Sequence, residues 1–184
     1  MATGLDDKEL LGRAARDPDA FEPLVERHSR ALHGYFARRA PGAADDLLAE
    51  LWLQAYATRR GFDPDRGSVR AWLFGVARNV LSAHWRRMAA ARPDVMRGSG
   101  DDDPWEAVDD RLVAAAVAPR LRALLTQLPP DERELLLLVA WEQLTPTEAA
   151  AVVGIPAATA RTRLHRARNR MRAGAPLDRT GGPA

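Results

Sequence analysis

TPTEAAAVVGIPAATARTRLHRARNRMR, running from Thr145 to Arg172, is the stretch on which the reading of this chain turns. Thr145 and Glu148 form a capping box: the threonine oxygen can accept the N–H of the third helical residue while the glutamate reaches back to the cap. Pro146 suits the first helical position, where no N–H is needed. Gly154 is placed to end that short helix in the left-handed conformation, and Ile155-Pro156 make the turn. Beyond it, Ala160, Leu164, Ala167 and Met171 fall on one helical seam. The other faces carry Thr159, Arg161, Thr162, Arg163, His165, Arg166, Arg168 and Arg170. A capped helix, a tight glycine turn and a second helix are the parts of a helix-turn-helix. Between Ile155 and Ala173 stand six arginines and no acid. Such a run repels itself unless an anion lies against it. Arginine grips phosphates and forms bidentate pairs with guanine, and Thr159 and Thr162 are short enough to let the helix approach a groove. The segment implies DNA binding but not its purpose. The bland alternative is a solvated, arginine-rich helix end.

Outward from this unit the helical period continues. Leu121, Leu124, Leu125 and Leu128 form a stripe that Pro129 and Pro130 end, with Asp131 as cap for a helix from Glu132 to about Trp141. In the first half, a short helix over Lys8–Arg16 turns Leu10, Leu11 and Ala14 inward. Asp17 and Pro18 open a second, whose stripe reads Phe21, Leu24, Val25, His28, Leu32, Tyr35 and Phe36. Pro41 and Gly42 stop it. A third helix over 44–59 aligns Leu47, Leu48, Leu51, Trp52 and Ala55. A fourth, over 68–90 beyond the loop Gly61–Gly67, aligns Val69, Trp72, Leu73, Val76, Val80 and Leu81. No strand pattern occurs. The expected architecture is all-α: a domain over 1–92, a linker over 93–110, a domain over 111–175 holding the helix-turn-helix, and a disordered tail over 176–184.

The linker is acidic. From Gly98 to Asp110 there are six acids and no base, so a formal net charge of +2 conceals two opposed local fields. Its composition is that of a flexible soluble tether, with Trp105 the one residue suited to docking, either on the protein or on a partner. The chain contains no cysteine, which excludes disulfides, thiolate metal sites and a cysteine nucleophile. His28, His33, His84 and His165 show no metal-ligand spacing, and no phosphate loop or nucleophile motif occurs. The first twenty residues lack a basic start followed by an apolar run, and no stretch approaches the roughly 18 apolar residues of a membrane span. A soluble, cytoplasmic, non-enzymatic protein without cofactor or metal is expected.

The first half narrows the purpose. Ala44-Asp45-Asp46-Leu47-Leu48-Ala49-Glu50-Leu51-Trp52-Leu53-Gln54-Ala55-Tyr56, Arg70-Ala71-Trp72-Leu73-Phe74-Gly75-Val76-Ala77-Arg78-Asn79-Val80 with His84-Trp85-Arg86-Arg87, and Leu128-Pro129-Pro130-Asp131-Glu132-Arg133-Glu134 occur in that order ahead of Gly154-Ile155-Pro156. In sequence and spacing this set resembles the extracytoplasmic-function (ECF) sigma factors of bacterial RNA polymerase. The resemblance implies that the first segment binds the polymerase core, the second opens and reads the −10 promoter element, and the last two belong to a −35-reading domain. It also implies an anti-sigma factor as partner. Departures are Ala49 where the family often has glutamine, Ala83 where it usually has an acid, and Ala158 for a common glycine.

Under that resemblance Asp45, Asp46, Leu47, Glu50, Leu51 and Gln54 are the polymerase candidates. The acids could pair with basic polymerase residues while the leucines supply apolar area. Leu47 and Leu51 could equally belong to the domain core. Capture of unpaired −10 bases calls for aromatic pockets beside cationic grips. Phe62, Arg66, Arg70, Phe74, Arg78, Asn79, Trp85, Arg86 and Arg87 supply them. Trp72 belongs to the inner stripe. Phe74 and Trp85 lie off it, and Arg86-Arg87 suits a phosphate grip. A stand-alone helix-turn-helix regulator is the alternative. It predicts tight DNA binding without polymerase.

Overall fold

The computed structural model describes residues 5–91 and 119–174, and among these every regular element is helical. The eight α-helices are α1 (Asp7–Arg13), α2 (Glu22–Arg39), α3 (Ala44–Thr58), α4 (Val69–Ala91), α5 (Pro119–Thr126), α6 (Pro130–Ala140), α7 (Pro146–Val153) and α8 (Ala157–Gly174). Helix α1 is shorter than its apolar pattern. A capping box of Asp6 and Glu9 opens it, and Ala14, fully buried, lies just past its end. Asp17 caps a 3-10 turn over Pro18–Phe21 rather than an α-helix. Its carboxylate accepts the N–H of Asp19, and α2 follows directly. Asp131 likewise sits in the first turn of α6 rather than at its cap, which is Pro129. The acidic linker, Trp105 within it and the tail fall outside the described residues.

Helices α2, α3 and α4 pack on one another, with α1 laid across them. Leu24, Leu32, Tyr35 and Phe36 from α2 meet Leu47, Leu51 and Ala55 from α3 and Leu73, Val76, Val80 and Leu81 from α4, all buried. Edge-to-face aromatic pairs lock the layers: Phe21 meets Trp52 at 5.9 Å and Tyr56 at 5.3 Å, and Tyr35 meets Phe74 at 5.6 Å. Asp7 ties α1 to α2 through Arg27 at 2.9 Å and His28 at 2.7 Å. Burial acts to raise the Asp7 carboxyl, but the hydrogen bonds and charges of Arg27 and His28 leave it below the usual carboxylate range.

The second half packs α6 and α7 against α8. Leu164 and Ala160 of α8 close on Leu135, Leu138, Ala149 and Val152, while Ala167 joins a satellite cluster with Leu125, Leu128 and Leu137. The capping box is formed as expected, and Gly154 sits at φ 81°, ψ 32°, the left-handed region. A Cβ is strained there, whereas glycine is not. Thr145→Ala is expected to cost about 1 kcal/mol. Thermal unfolding should show it as a fall of roughly 2–4 °C for a protein of this length.

The two halves are not separate bodies. Helix α4 packs along α7, and one apolar cluster runs from Leu10 through Leu81 into Leu135, Leu144, Ala150 and Leu164. The residues touching across this boundary include several of the candidates for DNA contact.

Candidate nucleic-acid and polymerase interfaces

Three surfaces carry the candidates. On α3, Asp45, Asp46 and Gln54 are exposed and Glu50 is half-buried. Glu50 takes both Arg87 nitrogens, at 2.9 and 3.3 Å, and Asp45 accepts from or faces His33 Nε2 at 3.1 Å. Leu47 and Leu51 do not belong to this surface. They are 1% and 0% exposed, so their apolar area is spent inside the protein. The residue that the assignment missed is Leu53, 75% exposed. The signal was in the register. Leu47, Leu51 and Ala55 mark the inner seam, and a residue two beyond Leu51 points the opposite way at 100° per residue. An exposed leucine in an acidic surround is a contact-sized apolar anchor.

The second surface is the loop over 61–68 with α4. Phe62 is half-buried and meets Trp72 edge-on at 5.7 Å. The loop walls a cleft of about 670 Å³ whose lining includes Phe62, Arg66, Trp72 and Asn79, and, from the other half, Ala150, Gly154 and Pro156. Arg66, Asn79 and Arg86 are exposed. Phe74 is not available to DNA as the structure stands. It is 1% exposed, stacked edge-on against Tyr35 and lying under the Arg70 guanidinium, 5.2 Å from the ring centre. Its place off the α4 stripe did not expose it, because α4 is covered on two sides. Trp85 is half-buried against the core, edge-on to His84 at 5.0 Å. Burial, with Arg87 nearby, lowers the His84 pKa.

Arg70 and Arg78 are engaged by the second half. Arg70 Nη2 donates to the Glu142 carbonyl at 2.8 Å. Arg78 donates to both Glu134 oxygens, at 2.7 and 3.3 Å. The Glu142 carboxylate, 2% exposed, accepts from Arg38 at 2.6 and 2.7 Å and from Arg39 at 3.1 Å. Ser68 donates to Glu148. Burial acts to raise the Glu148 carboxyl, but hydrogen bonds from Ser68 and Thr145 and the Arg70 charge hold it below the usual range.

The third surface is α8. Ala158, Arg161, Thr162, His165, Arg166 and Asn169 are all exposed and lie opposite the buried seam of Ala160, Leu164 and Ala167. Thr159 is half-buried and Arg168 exposed. Arg163 and Arg170 flank that face and turn toward α6, pairing with Asp131 at 2.7 Å and Glu132 at 2.5 Å. Those pairs tie α8 to α6. Among the described residues no cluster of His, Asp or Glu could hold a metal ion, and no helix is long and apolar enough to cross a membrane.

Residues 24–91 match the family description "Sigma-70 region 2", and residues 119–171 match "Sigma-70, region 4". The two matches together define a sigma-70-type promoter-recognition factor. The sequence is 32% identical to the ECF RNA polymerase sigma factor SigC of Mycobacterium tuberculosis, across 98% of this chain and 99% of that one. It is 30% identical to the ECF RNA polymerase sigma factor RpoE of Cereibacter sphaeroides, across 87% of this chain and 88% of that one. Among solved structures, CnrH in complex with the cytosolic domain of CnrY shares the fold at a TM-score of 0.59 and 29% identity, covering 91% of this chain and 95% of that one. RpoE from Bartonella quintana, bound to the anti-sigma factor NepR, shares the fold at a TM-score of 0.60 and 23% identity, covering 86% of this chain and 98% of that one. The chain belongs to the ECF family of RNA polymerase sigma factors. It directs core polymerase to specific promoters and acts in transcription initiation.

Proposed function

We propose how the three surfaces divide that work. The α3 face docks on core polymerase, with Leu53 as apolar anchor and Asp46, Glu50 and Gln54 around it. The loop at Phe62 and the basic face of α4 capture the opened −10 element, with Trp72 as floor of the cleft and Arg66, Arg70, Arg78, Asn79, Arg86 and Arg87 as grips. The outward face of α8 reads the −35 element through Arg161, Thr162, His165 and Arg166. Thr159 and Arg168 lie at its margins, and Arg163 and Arg170 brace it. The domains divide as 1–92 and 111–175 about the acidic stretch 93–110. The protein works in the cytoplasm and is not itself an enzyme, since RNA synthesis belongs to polymerase. The two solved relatives are held by the cytosolic domain of CnrY and by the anti-sigma factor NepR. An anti-sigma factor is the corresponding partner here.

The observation that carries this reading is the presence on one chain of an acidic helix with an exposed leucine and a braced helix-turn-helix with an arginine-rich outer face. Transcription in vitro with purified core polymerase, this protein and fragmented genomic DNA tests it, by mapping RNA 5′ ends. Discrete starts sharing paired upstream motifs, seen only with both proteins, are expected. Random starts, with tight DNA binding by the protein alone, would establish a stand-alone regulator instead.

A further inference from the structure

The outward face of α8 is not polar throughout. Ala158 and Thr162 stand one turn apart on it, and both are exposed. The Thr162 hydroxyl is turned back on the helix, where it donates to the Ala158 carbonyl at 3.1 Å. A hydroxyl carries one proton, so this bond uses the only donor that the side chain has. The bond also selects the rotamer of a helical threonine. Oγ1 and Cγ2 share one Cβ, so the oxygen turned onto the backbone leaves the methyl as the group presented to a partner. The Ala158 methyl lies on the same face one turn before it. We propose that Ala158 and Thr162 together form an apolar reader for the C5-methyl group of a thymine in the −35 element. Thymine alone among the four bases places a methyl in the major groove. The inference rests on the assignment of the outward α8 face to the −35 element.

The patch is well placed for that task. In a helix-turn-helix the N-terminal residues of the second helix reach the base edges, and Ala158 and Thr162 lie in the first two turns of α8. Both side chains are short, so the helix can come close enough for methyl to meet methyl. Arg161, His165 and Arg166 are exposed on the same face and supply the charge and donors that hold the helix against the groove. Further along, Asn169 Nδ2 donates to His165 Nε2 at 3.0 Å. The polar groups of Thr162, His165 and Asn169 thus have hydrogen-bond partners within α8 itself. The competing use of Thr162 is as a hydrogen-bonding group. With its proton committed to Ala158, the hydroxyl can only accept, from cytosine N4 or adenine N6. Hydroxyl and methyl therefore make opposite predictions for two small substitutions. Valine keeps the methyl and loses the hydroxyl, whereas serine keeps the hydroxyl and loses the methyl.

The test uses holoenzyme assembled from core polymerase and the full chain, on a promoter found by mapping starts. Each thymine of its −35 element, on either strand, is replaced in turn by deoxyuridine, which lacks only the C5-methyl group. Affinity for the double-stranded fragment is measured at fixed salt. One replacement should weaken binding about fourfold, the worth of one methyl-sized group removed from water. Thr162→Val should keep the wild-type affinity and the same loss with deoxyuridine. Thr162→Ser should bind the thymine promoter about fourfold more weakly and lose little more with deoxyuridine, since the two changes delete one contact. Ala158→Gly should shrink the deoxyuridine effect at the same thymine. That effect compares two DNAs with one protein, so a variant that is merely less stable does not imitate it. Equal binding to thymine and deoxyuridine at every position, or a −35 element without an A·T pair, would overturn the inference. So would a drop in affinity with Thr162→Val and none with Thr162→Ser, which would make the hydroxyl the reader. Any of these results beside a −35 preference that Arg166→Ala flattens leaves α8 as the reading helix. A −35 preference that neither deoxyuridine, Arg166→Ala nor His165→Ala alters would refute that assignment itself.

Discussion

Leu53→Asp is expected to weaken binding to core polymerase by about thirtyfold or more and to leave the melting temperature unchanged. The side chain is 75% exposed on α3 and contributes almost nothing to the fold, so its removal costs no core packing. An apolar anchor at the centre of an interface is worth about 2 kcal/mol or more on truncation, and each 1.4 kcal/mol is tenfold. An aspartate there adds an unpaired charge to the desolvated centre. The neighbour two residues earlier gives the contrast. Leu51 is fully buried, so Leu51→Ala should cost roughly 2–5 kcal/mol of stability by leaving a cavity. Its effect on polymerase binding should appear only as the protein unfolds. Titration of labelled protein into core polymerase, with calorimetry of each variant, separates the two. Unaltered polymerase affinity for Leu53→Asp would move the docking surface off α3.

The α3 case shows what the sequence carries and what it withholds. Helical period and capping chemistry are local, and they recover nearly every element: Thr145 with Glu148 and Gly154 can be placed without any tertiary knowledge. The register of α3 also separates Leu53 from Leu51. What cannot be read locally is which face of a helix a second domain covers. The inner stripe of α4 assumes packing on one side only. In the structure α2 brings Tyr35 over Phe74, and the second domain brings Glu142 to Arg70 and Glu134 to Arg78. The two ion-paired or hydrogen-bonded partners from the second domain lie 56 and 72 positions away in the chain, beyond any periodicity. The same holds for α8. Its basic composition is legible in the sequence, but only the positions of Asp131 and Glu132 show that Arg163 and Arg170 are occupied by their own domain.

That distinction sets the second large effect. Arg163 has the composition of a base reader, yet its guanidinium lies 2.7 Å from Asp131 at the flank of α8. Arg166 is exposed on the face opposite the buried seam. A bidentate contact to a base is worth about 1–3 kcal/mol of discrimination, or roughly five- to 150-fold. Arg166→Ala should therefore flatten the preference at one or two positions of the −35 element by that factor, and His165→Ala should act on a neighbouring position. Arg163→Ala should instead lower stability by well under 1 kcal/mol, as a partly exposed pair does, and leave the preference intact. Arg86→Ala on α4 is a third type. An exposed phosphate grip carries no sequence information, so its loss should weaken all promoters alike and reduce the salt slope of binding by about one. Transcription from a pooled promoter library at several salt concentrations reads all four variants at once. If Arg163→Ala flattened the −35 preference and Arg166→Ala did not, the recognition helix would have to be turned about its axis on DNA. The pairs to Asp131 and Glu132 would then break on binding, and α8 would be re-seated by the promoter rather than presented to it ready-made.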